Sequence, residues 1–171
     1  RWTAQTGLDQ GEVATHGTFV QLYINGLYWG LYNPVERPDN SFSAEYLGGN
    51  KEDYDSYSVE GLMDGNSTAW NLLQTLTSSP VANWAQIQQK LDITEFCDYM
   101  LVNQFGGNWD WPWNNWWASY NRVDPNGKWR FFSWDGEGNL WDPNANKVND
   151  SGGPGDIFQR LRQVPEFRLA F

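Results

Sequence analysis

Three side chains concentrate the chemistry available to this sequence: Asp110, Asn115 and Asp135. Asp110 precedes Asn115 by five positions, and Asp135 follows two strand-like runs joined by the turn signal Asp124-Pro125-Asn126-Gly127. Carboxylate and amide oxygens are hard donors of the kind magnesium takes. A carboxylate within hydrogen-bond reach of a hydroxyl can also orient it as a nucleophile. Glu137 adds a further carboxylate on a longer arm, and Asn114 rivals Asn115 for the amide position. Spacing alone has a second reading, in which Asp110 caps a turn and Asp135 closes a hairpin.

The elements that must hold these groups are legible to different degrees. Residues 1–16 are polar and read as irregular or weakly helical. Aromatic and β-branched residues over 18–24 predict a strand, Asn25-Gly26 a tight type I′ turn, and 27–32 the returning strand. Apolar residues of this hairpin (Phe19, Leu22, Ile24, Leu27, Trp29 and Leu31) fall on both faces, so the pattern asks for cover on each. A short helix is expected over 41–47, ended by Gly48-Gly49, then a strand over 54–59. Three helices follow. The first presents Trp70, Leu73 and Leu76 or Thr77, and the second Trp84, Ile87 and Leu91. The third opens on Asp92-Ile93-Thr94-Glu95, an acidic variant of the capping box, and runs to Gly106-Gly107. The polar-aromatic loop 108–115 comes next, then strands over 116–120 and 128–134, a loop over 142–155 and a helix over 156–163.

Composition narrows the partners. A net charge of −10 over 171 residues repels a nucleic-acid backbone and anionic membranes. No apolar run reaches the length of a membrane span. The single Cys97 allows no internal disulfide and fits a buried thiol. His16 is the only histidine, which excludes zinc sites that need several. No phosphate-loop signature of the G-x-x-x-x-G-K type occurs. Asn66-Ser67-Thr68 and Asn149-Asp150-Ser151 match the N-glycosylation sequon, which matters only in a eukaryotic secretory route. With 12 tryptophans, much of the core must be indole. The cluster Trp109, Trp111, Trp113, Trp116 and Trp117 could instead form a platform for a sugar or nucleobase.

The run His16-Gly17-Thr18-Phe19 through Asn25-Gly26-Leu27-Tyr28-Trp29-Gly30-Leu31-Tyr32 to Glu36-Arg37-Pro38-Asp39 closely resembles the CotH kinase family of spore-coat-protein-H-like atypical kinases. So do Asn108-Trp109-Asp110-Trp111-Pro112, Asn114-Asn115-Trp116 and Trp129-Arg130-Phe131-Phe132-Ser133-Trp134-Asp135, in the family's order. The resemblance implies an α+β, protein-kinase-like fold fragment with an N-terminal β-hairpin, a helical middle and a catalytic loop followed by a second hairpin. It implies ATP and magnesium, or manganese, as cofactors, and a coat or surface protein as phosphate acceptor. Asp110 then matches the catalytic aspartate. Asn115 and Asp135 match metal and nucleotide ligands, Glu137 replaces the family's second aspartate, and Glu36 orients the nucleotide or pairs with Arg37.

Two departures stand beside that match. No His-Arg pair precedes Asp110, and Lys51, Lys90, Lys128 and Lys147 do not match the position of a phosphate-binding lysine. The chain therefore reads as a single partial domain over 1–171, cut at both ends from a longer, exported or surface protein and inactive alone. Two other classes compete. One is a degenerate kinase fold acting as an adhesive or carbohydrate-binding module. The other is a glycosidase using Asp110 with Asp135 or Glu137 across a sugar cleft.

Overall fold

In the computed structural model, which describes residues 2–171, Asn25 and Gly26 both adopt positive φ, as a type I′ turn requires. They join β1 (Val20–Ile24) to β2 (Leu27–Tyr32) in antiparallel register. Leu22 faces Gly30 while Tyr23 faces Tyr28, so Trp29 is the extra residue of a bulge, and Gly30 at φ 123 allows the bend. A bridge between Gly17 and Val35 closes the base of this two-stranded sheet.

The N-terminal segment forms α1 (Trp2–Asp9), where an irregular or weakly helical stretch was expected. Its stability comes from docking against α5, described below, more than from its own composition. After the hairpin come α2 (Asn40–Leu47), β3 (Tyr54–Ser58), β4 (Gly61–Asp64), α3 (Thr68–Thr77), α4 (Pro80–Lys90) and α5 (Ile93–Gly106). The chain ends with β5 (Trp116–Asn121), β6 (Arg130–Ser133), α6 (Pro154–Leu161) and α7 (Pro165–Ala170). Asp39 caps α2 and Asp92 caps α5 through their side chains, and Pro154 starts α6 at a position where a missing N–H costs nothing. The described residues thus form an α+β domain with seven α-helices and two antiparallel sheets.

The second sheet has the order β4-β3-β5-β6. Period-two alternation sends its side chains to two different layers. Trp116, Ala118 and Tyr120 join Leu73, Ile87, Phe96, Met100, Phe131, Phe158 and Phe167 in the main core under the helices. Trp117 and Phe132 point the other way and pack with Phe42 of α2. Ser119, on that second face, receives a hydrogen bond from the Ser43 hydroxyl at 2.7 Å, so a buried polar pair is satisfied.

Indoles carry much of the main core. Trp70 stacks on Trp116 and on Tyr57, and Trp129 meets it edge-on with centroids 5.2 Å apart. Trp111 donates its ring N–H to the Tyr99 hydroxyl at 2.7 Å. Of the five rings offered as a sugar platform, Trp111, Trp116 and Trp117 are buried. Each has its apolar face in the protein, so the five cannot act as one exposed surface.

Two buried carboxylates tie the sheet to its surroundings. Asp55 Oδ1 accepts from Arg122 Nη1 at 2.6 Å and from the Asn66 N–H at 2.7 Å, bracing the turn after β4. Both oxygens of Glu95 accept from the Phe131 N–H at 3.0 and 3.1 Å, joining α5 to β6. Burial pushes the Glu95 pKa well above the ordinary carboxyl value, against the lowering effect of that N–H. β6 is shorter than the expected 128–134 run. Trp129 leaves the ladder to bridge Leu91, donating its N–H to the Lys90 carbonyl at 2.8 Å.

Candidate functional site

The left-handed C-cap Gly107 ends α5 and releases the loop that carries Asp110. Asn108, buried at the start of that loop, donates to Asn103 Oδ1 at 3.2 Å, and Asn103 donates to the Ser133 hydroxyl at 2.9 Å. One helix side chain therefore links the beginning of the Asp110 loop to the end of β6, where the Asp135 segment begins. The loop closes with Asn115, which enters β5, and its carbonyl accepts from the Trp134 N–H at 3.3 Å.

Within this frame the Asn115 amide nitrogen donates to Asp110 Oδ1 at 2.8 Å and to the Asp135 backbone carbonyl at 3.0 Å. Asn114 donates to the other Asp110 oxygen at 3.1 Å. The amides at 114 and 115, alternatives in the sequence, thus both hold Asp110. Because the nitrogen of Asn115 makes both bonds, its carbonyl oxygen is the atom left for a ligand.

Asn115 and Asp135 both sit in the left-handed backbone region, at φ 56 and φ 50. Asparagine and aspartate tolerate that region better than other residues with a β-carbon. Such conformations cost on the order of 1–3 kcal/mol each and persist where the surroundings impose them.

Asp135 and Glu137 line a cavity of about 420 Å³ together with Thr3 and Leu8 of α1, His16, and Asn33 and Val35 at the base of the hairpin. Glu137 has a raised pKa, first through a side-chain hydrogen bond with Asp135, then through partial burial and the negative charges of Asp135 and Asp110. Among the described residues no group of three or more His, Cys, Asp or Glu side chains is placed to hold a metal ion by itself. Asp135 and Glu137, both on the wall of that cavity, fit magnesium held jointly with a nucleotide, because that ion keeps few protein ligands and completes its shell with phosphate and water, whereas Asn115 does not line the cavity.

Glu36 stands apart from this cluster. One carboxylate oxygen accepts from the His16 N–H at 2.8 Å and lies 3.0 Å from its Nδ1; the other accepts from the Tyr46 hydroxyl at 2.7 Å. Burial acts to raise its pKa, but the hydrogen bonds from Tyr46 and His16 outweigh it and hold the carboxyl below its ordinary value. Its partner is therefore His16, not Arg37. Arg37 instead lies over the Trp117 ring at 5.5 Å and lines a 110 Å³ pocket shared with Asn114, Asn115 and Trp134. Sequence reasoning had tied Arg37 to its neighbour. Only the fold carries it across to the Asn115 side.

Two acidic loops and an intervening amide thus meet beside an antiparallel sheet of an α+β domain, and one of the loops lines a cavity. A family model described as CotH kinase protein matches residues 8–171. The chain belongs to the CotH kinase family. No curated protein matches the sequence. No helix among the described residues is long and apolar enough to cross a membrane.

Proposed function

We propose that the chain is a kinase-like phosphotransferase domain of the atypical protein Ser/Thr class, using ATP with magnesium or manganese to modify a coat or surface protein. The observation that carries this reading is the Asn115 amide, which joins the Asp110 carboxylate to the Asp135 backbone. It puts a candidate base and a candidate metal ligand on neighbouring loops, the second facing a cavity. Cavities of roughly 300–1,000 Å³ are the usual size for small-molecule and cofactor sites.

In this mechanism Asp110 orients the acceptor hydroxyl and takes its proton as phosphoryl transfer proceeds. Each carboxylate oxygen already accepts one amide hydrogen and keeps a second lone pair for the acceptor. The amides of Asn114 and Asn115 stop the carboxylate from rotating, which preserves alignment with the phosphorus. Asp135 and Glu137, on the cavity wall, would hold magnesium, which would neutralise phosphate charge when bound. None of Lys51, Lys90, Lys128 and Lys147 lines the cavity. Arg37 lines the separate pocket beside Asn114 and Asn115 and does not line this cavity.

Calorimetric titration with ATP, with magnesium and with chelator, tests the reading. Binding is expected only with the metal, and Asp135→Ala should abolish it. Equal affinity with and without chelator would remove the metal assignment. Asp110→Asn should leave binding within about threefold and remove phosphate transfer, as a change confined to the reacting groups does. For a carbohydrate-binding module, the remaining feature is the exposed stack of Trp109 on Trp141, with centroids 6.5 Å apart. Glycan titrations in the same instrument are expected to give no heat.

A further inference from the structure

Lys147 lies in an irregular stretch more than thirty residues after Asp110, yet its ammonium reaches back to that loop. Nζ donates to the Trp109 carbonyl at 3.0 Å and to the Trp111 carbonyl at 3.3 Å, the two peptide oxygens on either side of Asp110. Its third partner is the Asp150 carboxylate at 2.8 Å, and an ammonium has three hydrogens to give. The ammonium also sits 4.5 Å from the centroid of the Trp113 ring, and only 11% of the side chain is exposed. A solvated surface lysine would have none of these constraints.

The other end of this contact is equally fixed. Gln159 of α6 donates its side-chain amide to the Val148 carbonyl at 2.7 Å and to the Asp150 carbonyl at 3.2 Å. Arg162 holds Asn149 at 3.0 Å. α6 is itself rooted in the main core through Ile157, Phe158 and Leu161. A continuous path of packed and hydrogen-bonded groups therefore runs from the core through α6 and the 148–150 segment to Lys147. It ends on the carbonyls of the two residues that flank Asp110. A β-carbon on Gly155 would strike the Pro112 ring at 2.6 Å, so the same segment also abuts the loop directly.

We propose that Lys147, held by Asp150, is the positioning residue of the Asp110 loop, acting on its backbone and touching no substrate. This rests on the kinase-like reading of Asp110. Asn114 and Asn115 fix the rotation of the carboxylate, whereas Lys147 fixes the height and tilt of the peptides that carry it. Displacements on the order of 1 Å in such a group can cost about a hundredfold in rate. Loss of Lys147 should therefore act on turnover and leave nucleotide affinity intact, because Asp135 and the cavity lie on the other loop.

The test compares Lys147→Met, Asp150→Asn and the unchanged chain by hydrogen–deuterium exchange, read on peptides over 108–115 and on control peptides in α5 and β5. Steady-state kinetics with magnesium-ATP and a hydroxyl-bearing acceptor accompany it. Lys147→Met should speed exchange in the loop peptides alone, lower kcat by about tenfold or more, and change the KM for ATP by less than about threefold. Asp150→Asn should act in the same direction by less. Unchanged loop exchange in both variants overturns the proposal. So does a rise shared equally with α5 and β5, which would make Lys147 a general stabiliser. Should no form of the chain transfer phosphate, the kinase reading fails, and the exchange pattern still decides whether Lys147 holds the loop.

Discussion

The hairpin β1–β2 and the sheet β4-β3-β5-β6 are written with similar strand-forming residues, yet they live in opposite environments. Every residue of β3 is buried, as are the first five of β5, whereas in the hairpin Leu27 is 70% exposed and Trp29 58%. The sheet has α2 on one face and the core helices on the other. In the hairpin every residue of β1 except Leu22, and of β2 except Gly30, is exposed. Strand propensity and a good turn are sufficient to form a ribbon, and burial of apolar area is what makes a strand carry stability.

The largest contrast should come from deleting one indole in each region. Trp129→Ala removes a fully buried ring that packs on Trp70 and Tyr120, and should cost about 3–5 kcal/mol in urea denaturation. Trp29→Ala should stay within about 0.5 kcal/mol. A loss above about 1 kcal/mol at Trp29 would show that the hairpin is packed against something in solution, and would break the contrast.

Removing a charge partner inside the sheet comes next. Arg122→Met strands the fully buried Asp55 carboxylate, and the expected loss is about 3 kcal/mol in the same measurement. The paired change Arg122→Met with Asp55→Leu should recover much of it, because the cost lies in the unpaired charge.

A pH dependence specific to the sheet side follows from Glu95. Its folded pKa is raised, so its contribution to stability is complete below the ordinary carboxyl range and is lost as pH climbs through the raised value. The facing charges are Glu12 and Asp92, which raise it further, and Arg130, which lowers it. Thermal melts from about pH 4 to pH 8 should show Glu95→Gln with a flatter decline than the parent. Parallel declines would remove Glu95 as the source.

The smallest stability change is expected at the tip and return strand of the hairpin. Leu27→Lys with Leu31→Lys should leave the melt unaltered and reduce concentration-dependent association, read by sedimentation, because charge on an exposed strand blocks edge-to-edge pairing.

The same contrast explains what was legible in the sequence. Asn25-Gly26 encodes its turn locally, and the helical periods around Leu73, Ile87 and Met100 encode the face that α3, α4 and α5 bury. β4 escaped notice because Gly61-Leu62-Met63-Asp64 lacks both a β-branched residue and a clean alternation. α1 was underrated because its threonines and Gly7 are weak helix formers, and its docking on α5 is a tertiary fact. At the candidate site, Asp110, Asn115 and Asp135 could be picked out by spacing and motif; the fold joins the side chains of Asp110 and Asn115 and ties Asp135 to them through its backbone carbonyl. Lys147 could not. Its hydrogen-bond partners in the Asp110 loop are backbone carbonyls, which leave no side-chain signature, and its own segment has no period. Glu36 illustrates the same limit, since its partners His16 and Tyr46 lie 20 and 10 residues away.

His16 is the sole imidazole of the chain, and it stands at the wall of the 420 Å³ cavity with Glu36 and Tyr46 against its Nδ1. In a long-range proton–nitrogen correlation spectrum it must give one isolated pair of ring signals, with no neighbour to assign or subtract. Any molecule entering that cavity changes the ring currents and hydrogen bonds felt by this one residue. The protein thus carries a native magnetic-resonance reporter of occupancy, readable without mutations or a working assay.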